Sequence, residues 1–169
     1  MITLHAAPLA QMSPEALYRV LQLRTDVFVV EQHCAYPELD GRDLEPGTLH
    51  VWAEEGAQGG GGSLRVVATL RILRDEGALR IGRVTAHPDH RGGGLARELF
   101  GRGLEECARI ADELPIVLDA QAPLEGWYER FGFVRVGETF LDDDIPHVPM
   151  RRDSGQRSST SPASAVNRG

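Results

Sequence analysis

Hydrophobic and polar positions along this chain follow strand and helix periods in turn, and the first two elements can be read from that spacing. The segment "ITLHA" near the start has the length and composition of a short strand. After it, Ser13 as N-cap and Pro14 in the first helical position predict the start of a helix. The apolar residues that follow have helical spacing: Leu17, Leu21 and Phe28. We expect this helix to be broken near Asp26.

The middle of the chain predicts three neighbouring strands. These are the β-rich runs "TLHVWAEE", "LRVVATLRILRD" and "ALRIGRVTAH". A glycine-rich stretch, "GAQGGGGS" from Gly56 to Ser63, separates the first two, and "DEG" separates the second two. Because short connections join antiparallel neighbours, we expect an antiparallel meander, with the glycine-rich stretch as a flexible hairpin loop.

The second half of the chain alternates helices and strands. A long helix is predicted over "GGLARELFGRGLEECARIAD", and its expected buried side is Leu95, Leu99, Leu104 and Ala108. The strand "PIVLDAQ", the short helix "PLEGWYERF" and the closing strands "FVRVGETFL" and "HVPMR" follow. This order of elements predicts an α/β (α+β) fold with one central mixed sheet and helices on both faces.

Length and charge indicate one acidic domain. The chain has 169 residues and a net charge of -7, and a chain of this length can bury one substantial core. Residues 151–169 carry four arginines and one aspartate, which leaves -10 on residues 1–150. A broad basic face for nucleic acid is therefore not expected. Because the end of the chain is poor in hydrophobic residues, we predict a domain at residues 1–152 and a disordered tail at residues 153–169.

Neither a metal site nor a membrane segment is expected. The two cysteines, Cys34 and Cys107, are far apart and lack the spacing of zinc ligands or of a disulfide framework. No apolar run approaches the roughly 20 residues that span a bilayer, and the N-terminus has no signal-peptide pattern. These features favour a soluble protein in the cytoplasm.

Three glycines, Gly92 to Gly94, stand between a predicted strand and a predicted helix, directly after Arg91. Such a junction gathers unpaired backbone N–H groups at a helix N-terminus, where the helix dipole favours an anion. Glycines let the backbone curl around the anion, and the arginine adds a charge that can pair with phosphate. The pattern fits neither a Walker A nor a G-x-G-x-x-G motif. A turn that needs only flexible backbone angles is the alternative interpretation.

The glycine segment resembles motif A of the GNAT acetyltransferase superfamily, which "VTAHPDHRGGGLA" matches at Arg91, Gly94 and Ala96. The superfamily's motif B is similar to "WYERFGFVRVGE" downstream. The ElaA-like branch is similar in "LRTDVFVVEQHCAYPELDGRDLE", "IGRV", "LDAQAPLEGWYERFGF" and "DDDIPHVPM", so the resemblance covers roughly residues 5–151. Where many members have Asn, seven residues before the motif B tyrosine, this chain has Gln121.

The resemblance implies a GNAT fold, whose mostly antiparallel sheet is splayed between two parallel strands, and acetyl-CoA as co-substrate. In that fold the loop amides from Gly92 to Arg97 hold the pyrophosphate, and the strand "IGRVTAH" binds the pantetheine arm through backbone groups. The cofactor-binding residues that it implies are Arg83, Val84, Thr85, Arg91, Gly92, Gly93, Gly94, Leu95, Ala96, Arg97, Gln121 and Tyr128.

Direct attack of an amine on a thioester needs a base for the amine, a donor for the developing oxyanion and a proton for the leaving thiolate. Tyr128 is the candidate for the last role, because a phenol stays protonated at neutral pH. Glu31 and His147 are both candidates for the base. Each of the three has a structural alternative: a packed aromatic, a helix-end carboxylate and a core histidine, respectively.

Three functions are compatible with these residues. The first is transfer of an acetyl group from acetyl-CoA to a primary amine through a tetrahedral intermediate. The second is a CoA-binding regulatory module without turnover. The third is an enzyme similar to acyl-homoserine-lactone synthases, which "FVVEQ" and "YPELDG" favour. The expected partner is a small-molecule or peptide amine, and the acidic domain favours a cationic one. No nucleic acid or membrane partner is expected, and a homodimer is left open.

Overall fold

The computed structural model describes residues 1–56 and 65–154. The predicted glycine-rich loop and most of the predicted tail lie outside the described residues, at 57–64 and 155–169, so both stay predictions. The strands are β1 (Ile2–Ala7), β2 (Leu49–Glu55), β3 (Arg65–Asp75), β4 (Ala78–Ala86), β5 (Ile116–Gln121), β6 (Val134–Arg135), β7 (Phe140–Asp142) and β8 (Ile145–Arg152). The helices are α1 (Pro14–Arg24), α2 (Leu95–Ala111) and α3 (Glu125–Glu129). Within the described ranges no helix is long and apolar enough to cross a membrane.

One mixed sheet of eight strands runs through the described part of the chain. Its order is β1-β2-β3-β4-β5-β8-β6, and β7 also pairs with β8. All neighbouring pairs are antiparallel except β4 and β5, which are parallel. The predicted meander and mixed sheet are confirmed, although "FVRVGETFL" contains two short strands rather than one.

Helices cover both faces of this sheet, as predicted. Successive residues of β2 point to opposite faces: Val51 packs in the larger core cluster with α2, and Trp52 packs with α1 in the smaller one. Tyr128 of α3 belongs to the larger cluster. The candidate catalytic tyrosine therefore lies on the α2 side of the sheet.

The first helix begins and breaks where the sequence predicts. Ser13 Oγ accepts a hydrogen bond from the N–H of Ala16 at 3.1 Å, and Pro14 is the first helical residue. After α1 ends at Arg24, residues Thr25–Glu31 continue as a wider π-helical turn. Such turns are frequent at functional sites. This one carries the chain from α1 to the segment beside the cavity described below.

The buried side of α2 differs from the expected one. Leu95 and Leu99 are buried as predicted, but Leu104 is only partly buried and Ala108 is exposed. The helix instead turns Gly103 toward β3, where a Cβ would lie 2.9 Å from a methyl carbon of Leu70. Because glycine has no side chain, the helix lies close against the sheet at this point, and Leu104 and Ala108 face a surface groove.

The two parallel strands separate toward their carboxyl ends. Their register has two residue pairs, the last of which joins Arg80 of β4 to Val117 of β5. Beyond it β4 carries a bulge, because Arg83 and Val84 have no partner in the β3 register. A slot therefore opens between β4 and β5, and the predicted splay is confirmed.

Candidate active site

The glycine loop opens α2 with a row of free amides. Gly94 is the N-cap with φ +91°, and Gly92 has φ +81°, both in the left-handed region that favours glycine. A Cβ at either would meet nothing within 4 Å, so backbone conformation rather than crowding requires glycine here. The N–H groups of residues 92–96 donate no hydrogen bond to any residue of the described ranges. Five donors at a helix N-terminus can hold an anion.

Two groups that were predicted to bind phosphate are engaged within the protein. The N–H of Arg97 donates to the Gly94 carbonyl at 3.0 Å, so this amide does not extend the row. The Arg91 guanidinium donates two hydrogen bonds to the Glu31 carboxylate, at 2.7 and 2.9 Å, and its Nε donates to the Ala86 carbonyl at 3.1 Å. The Arg91 side chain thus ties the loop to the π-helical turn and to β4, and its contact with phosphate stays a prediction.

The slot between β4 and β5 forms a cavity of about 470 Å³. Its lining includes eight of the predicted site residues: Arg83, Val84, Thr85, Arg91, Ala96, Gln121, Tyr128 and His147. A groove of about 830 Å³ lies along α2, and the predicted residues in its lining are Gly92, Gly94, Ala96 and Arg97. Ala96 and Trp127 line both, so the glycine loop opens directly into the slot. Glu31, Gly93 and Leu95 line neither cavity.

Tyr128 places a protonated hydroxyl in the slot. Its ring lies 5.2 Å from that of Phe100 and 4.8 Å from that of Trp127, between centroids, and the residue is 6% exposed. Burial raises the pKa of the phenol. Its hydroxyl has no hydrogen bond to any described residue. Tyr128 can therefore donate a hydrogen bond to an atom bound in the slot.

His147 also lines this cavity. It lies on β8 opposite Gln121 of β5, and its Nδ1 is 2.8 Å from the Ile145 carbonyl. Because a carbonyl only accepts hydrogen bonds, Nδ1 carries the proton of the neutral ring and Nε2 keeps its lone pair. The ring also stacks on Phe140, with centroids 5.9 Å apart. This arrangement fixes the tautomer that a base requires.

The amide of Gln121 is oriented by a residue that the sequence analysis missed. Its Nε2 donates a hydrogen bond to Oε1 of Gln32 at 3.0 Å, and both residues line the slot. Gln32 follows directly after the π-helical turn. With its nitrogen engaged, Gln121 keeps a carbonyl oxygen to accept a hydrogen bond from a ligand.

A largely buried network of ion pairs, also missed by the sequence analysis, adjoins the slot, and two of its members, Asp40 and Arg71, line the cavity. Asp43 lies 2.7 Å from Arg24 of α1 and 3.1 Å from Arg71 of β3, and Arg71 donates two hydrogen bonds of 2.8 Å to Asp40. Hydrogen bonding from Arg71 holds the pKa of Asp40 well below its usual range. Burial acts to raise the pKa of Asp43, but hydrogen bonding and charge from Arg24 outweigh it and lower the pKa. The available signal was three acidic residues in one short segment, Glu38, Asp40 and Asp43.

No cluster suited to a metal ion occurs among residues 1–56 and 65–154. Both cysteines are free and buried, and burial raises the pKa of each thiol. The arrangement therefore offers an anion cradle, a slot, a protonated phenol and a histidine lone pair. The phenol and the histidine are suited to the two proton transfers that acyl transfer to an amine requires.

Comparison with known proteins defines the class. Residues 9–154 match the family described as the acetyltransferase (GNAT) domain. The crystal structure of an acyl-CoA N-acyltransferase from Pseudomonas aeruginosa aligns with a TM-score of 0.81 and 42% identity, covering 90% of this chain and 99% of that chain. This chain belongs to the GNAT acetyltransferase family, and the predicted GNAT fold is confirmed.

Within that family the chain is similar to the ElaA and UPF0039 proteins. Escherichia coli ElaA is 37% identical over 149 residues, which cover 85% of this chain and 92% of ElaA, and its crystal structure aligns with a TM-score of 0.83. A UPF0039 protein of Mycobacterium tuberculosis is 47% identical over 148 residues, which cover 83% of this chain and 87% of that protein. The resemblance to the ElaA-like branch is confirmed.

Proposed function

We propose that this protein transfers an acetyl group from acetyl-CoA to a primary amine by direct attack of the amine on the thioester. One observation carries the proposal: the free amides of residues 92–96 adjoin, at Ala96, a slot that contains both Tyr128 and His147. Membership of the GNAT family and likeness to an acyl-CoA N-acyltransferase support an acyl-CoA donor. The most specific parts of the proposal are that the transferred group is acetyl and that the acceptor is a primary amine.

The loop and the slot fit the phosphates and the arm of acetyl-CoA. The amides of residues 92–96 and the positive end of the α2 dipole would hold the pyrophosphate. Backbone groups of Arg83, Val84 and Thr85 would hold the pantetheine arm, together with the carbonyl oxygen of Gln121. Bound acetyl-CoA supplies an activated acyl group. The protein would align that group with the amine, accept the proton of the amine and donate a proton to the leaving thiolate.

Tyr128 is assigned as the general acid. Since burial raises its pKa and its hydroxyl has no partner among the described residues, the phenol can give its hydrogen bond to the leaving sulfur as negative charge develops there. The proton passes to the thiolate when the tetrahedral intermediate collapses. No covalent enzyme intermediate is needed, which agrees with the raised pKa of both thiols.

His147 is preferred to Glu31 as the base for the amine. Both carboxylate oxygens of Glu31 accept hydrogen bonds from Arg91, which lowers the pKa of the carboxyl. A carboxylate held in this way is a weak base, and Glu31 does not line the slot. His147 lines the slot, and in its neutral form the hydrogen bond of Nδ1 leaves the lone pair on Nε2, which can take the amine's proton directly or through a water molecule.

A screen of amine acceptors with acetyl-CoA tests the function. Polyamines, amino sugars, amino acids and basic peptides are incubated with the protein, CoA release is followed with a thiol reagent, and products are identified by mass. The chain contains no lysine, so the enzyme adds no side-chain amine as a competing acceptor. We expect CoA release that depends on one class of amine and yields an N-acetyl product.

The other two functions give different results in the same screen. If acetyl-CoA raises the melting temperature but no amine accelerates CoA release, the regulatory module is the better interpretation. Acetyl transfer from free acetyl-CoA to one of these amines would favour the first function over an enzyme similar to acyl-homoserine-lactone synthases. Location in the cytoplasm, independence from nucleic acid and membranes, and a homodimer stay predictions.

A further inference from the structure

A buried carboxylate, Glu38, joins the first helix to the strand that forms one side of the slot. The residue is 4% exposed and lies in the segment that follows the π-helical turn. One of its oxygens, Oε1, accepts a hydrogen bond from Nε of Arg24 in α1. The other, Oε2, lies 2.7 Å from Nε of Arg83 in β4 as an ion pair, without the geometry of a hydrogen bond. The Arg83 guanidinium also donates a hydrogen bond of 3.5 Å to the main-chain carbonyl of Glu38. Both oxygens of this carboxylate are therefore engaged with arginine.

Arg83 occupies a backbone conformation that needs support. Its φ is +54°, which L-residues other than glycine seldom adopt, and it belongs to the β4 bulge that has no partner in β3. The strained residue lies beyond the last β4–β5 pair, at the wall of the slot. Strained residues of this kind persist only where the surrounding structure holds them, and they cluster at functional sites.

The support for Arg83 comes from one short segment of chain. Besides the Glu38 carboxylate, the Arg83 guanidinium has Asp40 Oδ2 at 3.3 Å and the centroid of the Tyr36 ring at 5.0 Å. Asp40 is itself fixed by its two hydrogen bonds from Arg71 of β3. Within this set Glu38 is the most deeply buried partner of Arg83 and makes its shortest contact.

We propose that Glu38 is a positioning residue, which acts through Arg83 to hold the β4 bulge in the form that binds the acyl donor. The inference rests on the proposed function, because it assigns the backbone of the bulge to the pantetheine arm. Glu38 touches no reacting atom. Its carboxylate neutralises Arg83 and keeps that side chain against the segment of Glu38, which holds the backbone of residues 83 and 84 in place.

The test compares Glu38→Gln with Asp43→Asn. Asp43 is a matched control, since it is buried in the same network and pairs with Arg24 and Arg71 but not with Arg83. We expect Glu38→Gln to lower kcat about 10- to 100-fold, the range expected when a reacting group is slightly misplaced. It should also speed amide hydrogen exchange in β4 at residues 82–85. Asp43→Asn should lower stability and leave both quantities near wild type once the protein is folded.

A double-mutant cycle locates the effect at Arg83. In an Arg83→Met background, Glu38→Gln should change exchange and kcat by less than about twofold, because the partner through which it acts is gone. Equal effects of Glu38→Gln and Asp43→Asn, or a full effect in the Arg83→Met background, would overturn the proposal. If Glu38→Gln does not fold, Arg83→Met alone should show the faster exchange at residues 82–85.

Hydrogen exchange also separates this inference from the proposed function. If wild type transfers no acetyl group, the proposed function fails, and the exchange data still decide whether Glu38 holds the bulge. If wild type is active and Glu38→Gln exchanges and reacts like wild type, the positioning role fails and the proposed function stands.

Discussion

His50 provides a sharp test of the electrostatics behind the slot. The residue is fully buried on β2, neither of its ring nitrogens has a hydrogen bond within the described residues, and its Nε2 lies 3.7 Å from Asp43 Oδ1. Burial lowers the pKa of His50 from 6.5 to about 4. Asp43 acts to raise that pKa, whereas the positive charges of Arg24 and Arg71 lower it further. The ring is therefore neutral in the folded protein at neutral pH.

The magnitude and the pH window follow from linkage. Because the folded pKa lies below the unfolded one, the unfolded chain binds the proton first, and stability is lost as the pH falls from 6.5 toward 4. A shift of this size is worth about 3 kcal/mol in full, and about 2 kcal/mol of it should already be lost at pH 5 relative to pH 7.5. Carboxylates with lowered pKa values reduce stability mainly below pH 5, where they become protonated.

The perturbation is His50→Leu, which replaces the ring by an apolar side chain of similar size. Since the ring nitrogens have no hydrogen bonds to lose, we expect stability at pH 7.5 to stay within about 1 kcal/mol of wild type. Urea unfolding at pH 7.5, 6.5, 5.5 and 5.0, followed by tryptophan fluorescence, gives the free energy of unfolding at each pH. Wild type should lose about 2 kcal/mol more than His50→Leu over this range.

Parallel curves would refute this reasoning. If the two proteins differ by a constant amount, within about 0.5 kcal/mol, then His50 either titrates normally or is reached by water. His50→Gln, which is neutral and polar, serves as a second variant if the leucine variant does not fold. It should show the same weak pH dependence.

Four further predictions concern the site and the tail. Tyr128→Phe should lower turnover about 10²- to 10⁴-fold in single-turnover assays with little change in acetyl-CoA affinity, and a change within threefold would make the tyrosine structural. Gly94→Val should weaken acetyl-CoA binding in calorimetry, because valine is strained at φ +91°, and unchanged affinity would misplace the phosphate. His147→Gln should lower turnover far more than Glu31→Gln does, and the reverse result would exchange their roles. Deletion of the residues after Arg152 should leave the melting temperature and the rate nearly unchanged, and a fall in either would mean that the tail docks on the domain.

The elements of the fold and the glycine turn before α2 could be predicted because their signals are local. Ser13 and Pro14 mark the start of α1 within two residues, and the left-handed angles of Gly92 and Gly94 need glycine whatever the rest of the fold does. The prediction of which side of α2 is buried was partly wrong, for a physical reason. Packing there depends on Gly103, which carries no hydrophobic signal, and on how closely it lets the helix approach β3.

The segment beside the slot could not be predicted, because it inverts the usual order of hydrophobic and polar residues. Glu38 and Asp43 are 4% and 8% exposed, whereas their neighbours Leu39 and Leu44 are 56% and 75% exposed. An interpretation from hydropathy would bury the leucines and expose the acids. The partners that reverse this choice are Arg24 and Arg71, which lie in other elements of the fold.

Buried acidic residues in place of buried leucines are consistent with the role that we propose for this segment in acyl transfer. Buried ion pairs add little stability over apolar packing, but a buried charge without its partner is costly, so the network admits few alternative arrangements. Arg24 meets Glu38 and Asp43 across 14 and 19 residues, and Arg71 meets Asp40 across 31. Apolar contacts are not directional, whereas these hydrogen-bonded pairs fix both distance and angle. Ion pairs therefore suit the proposed role of this segment, the support of the strained β4 bulge at the slot, better than leucines would.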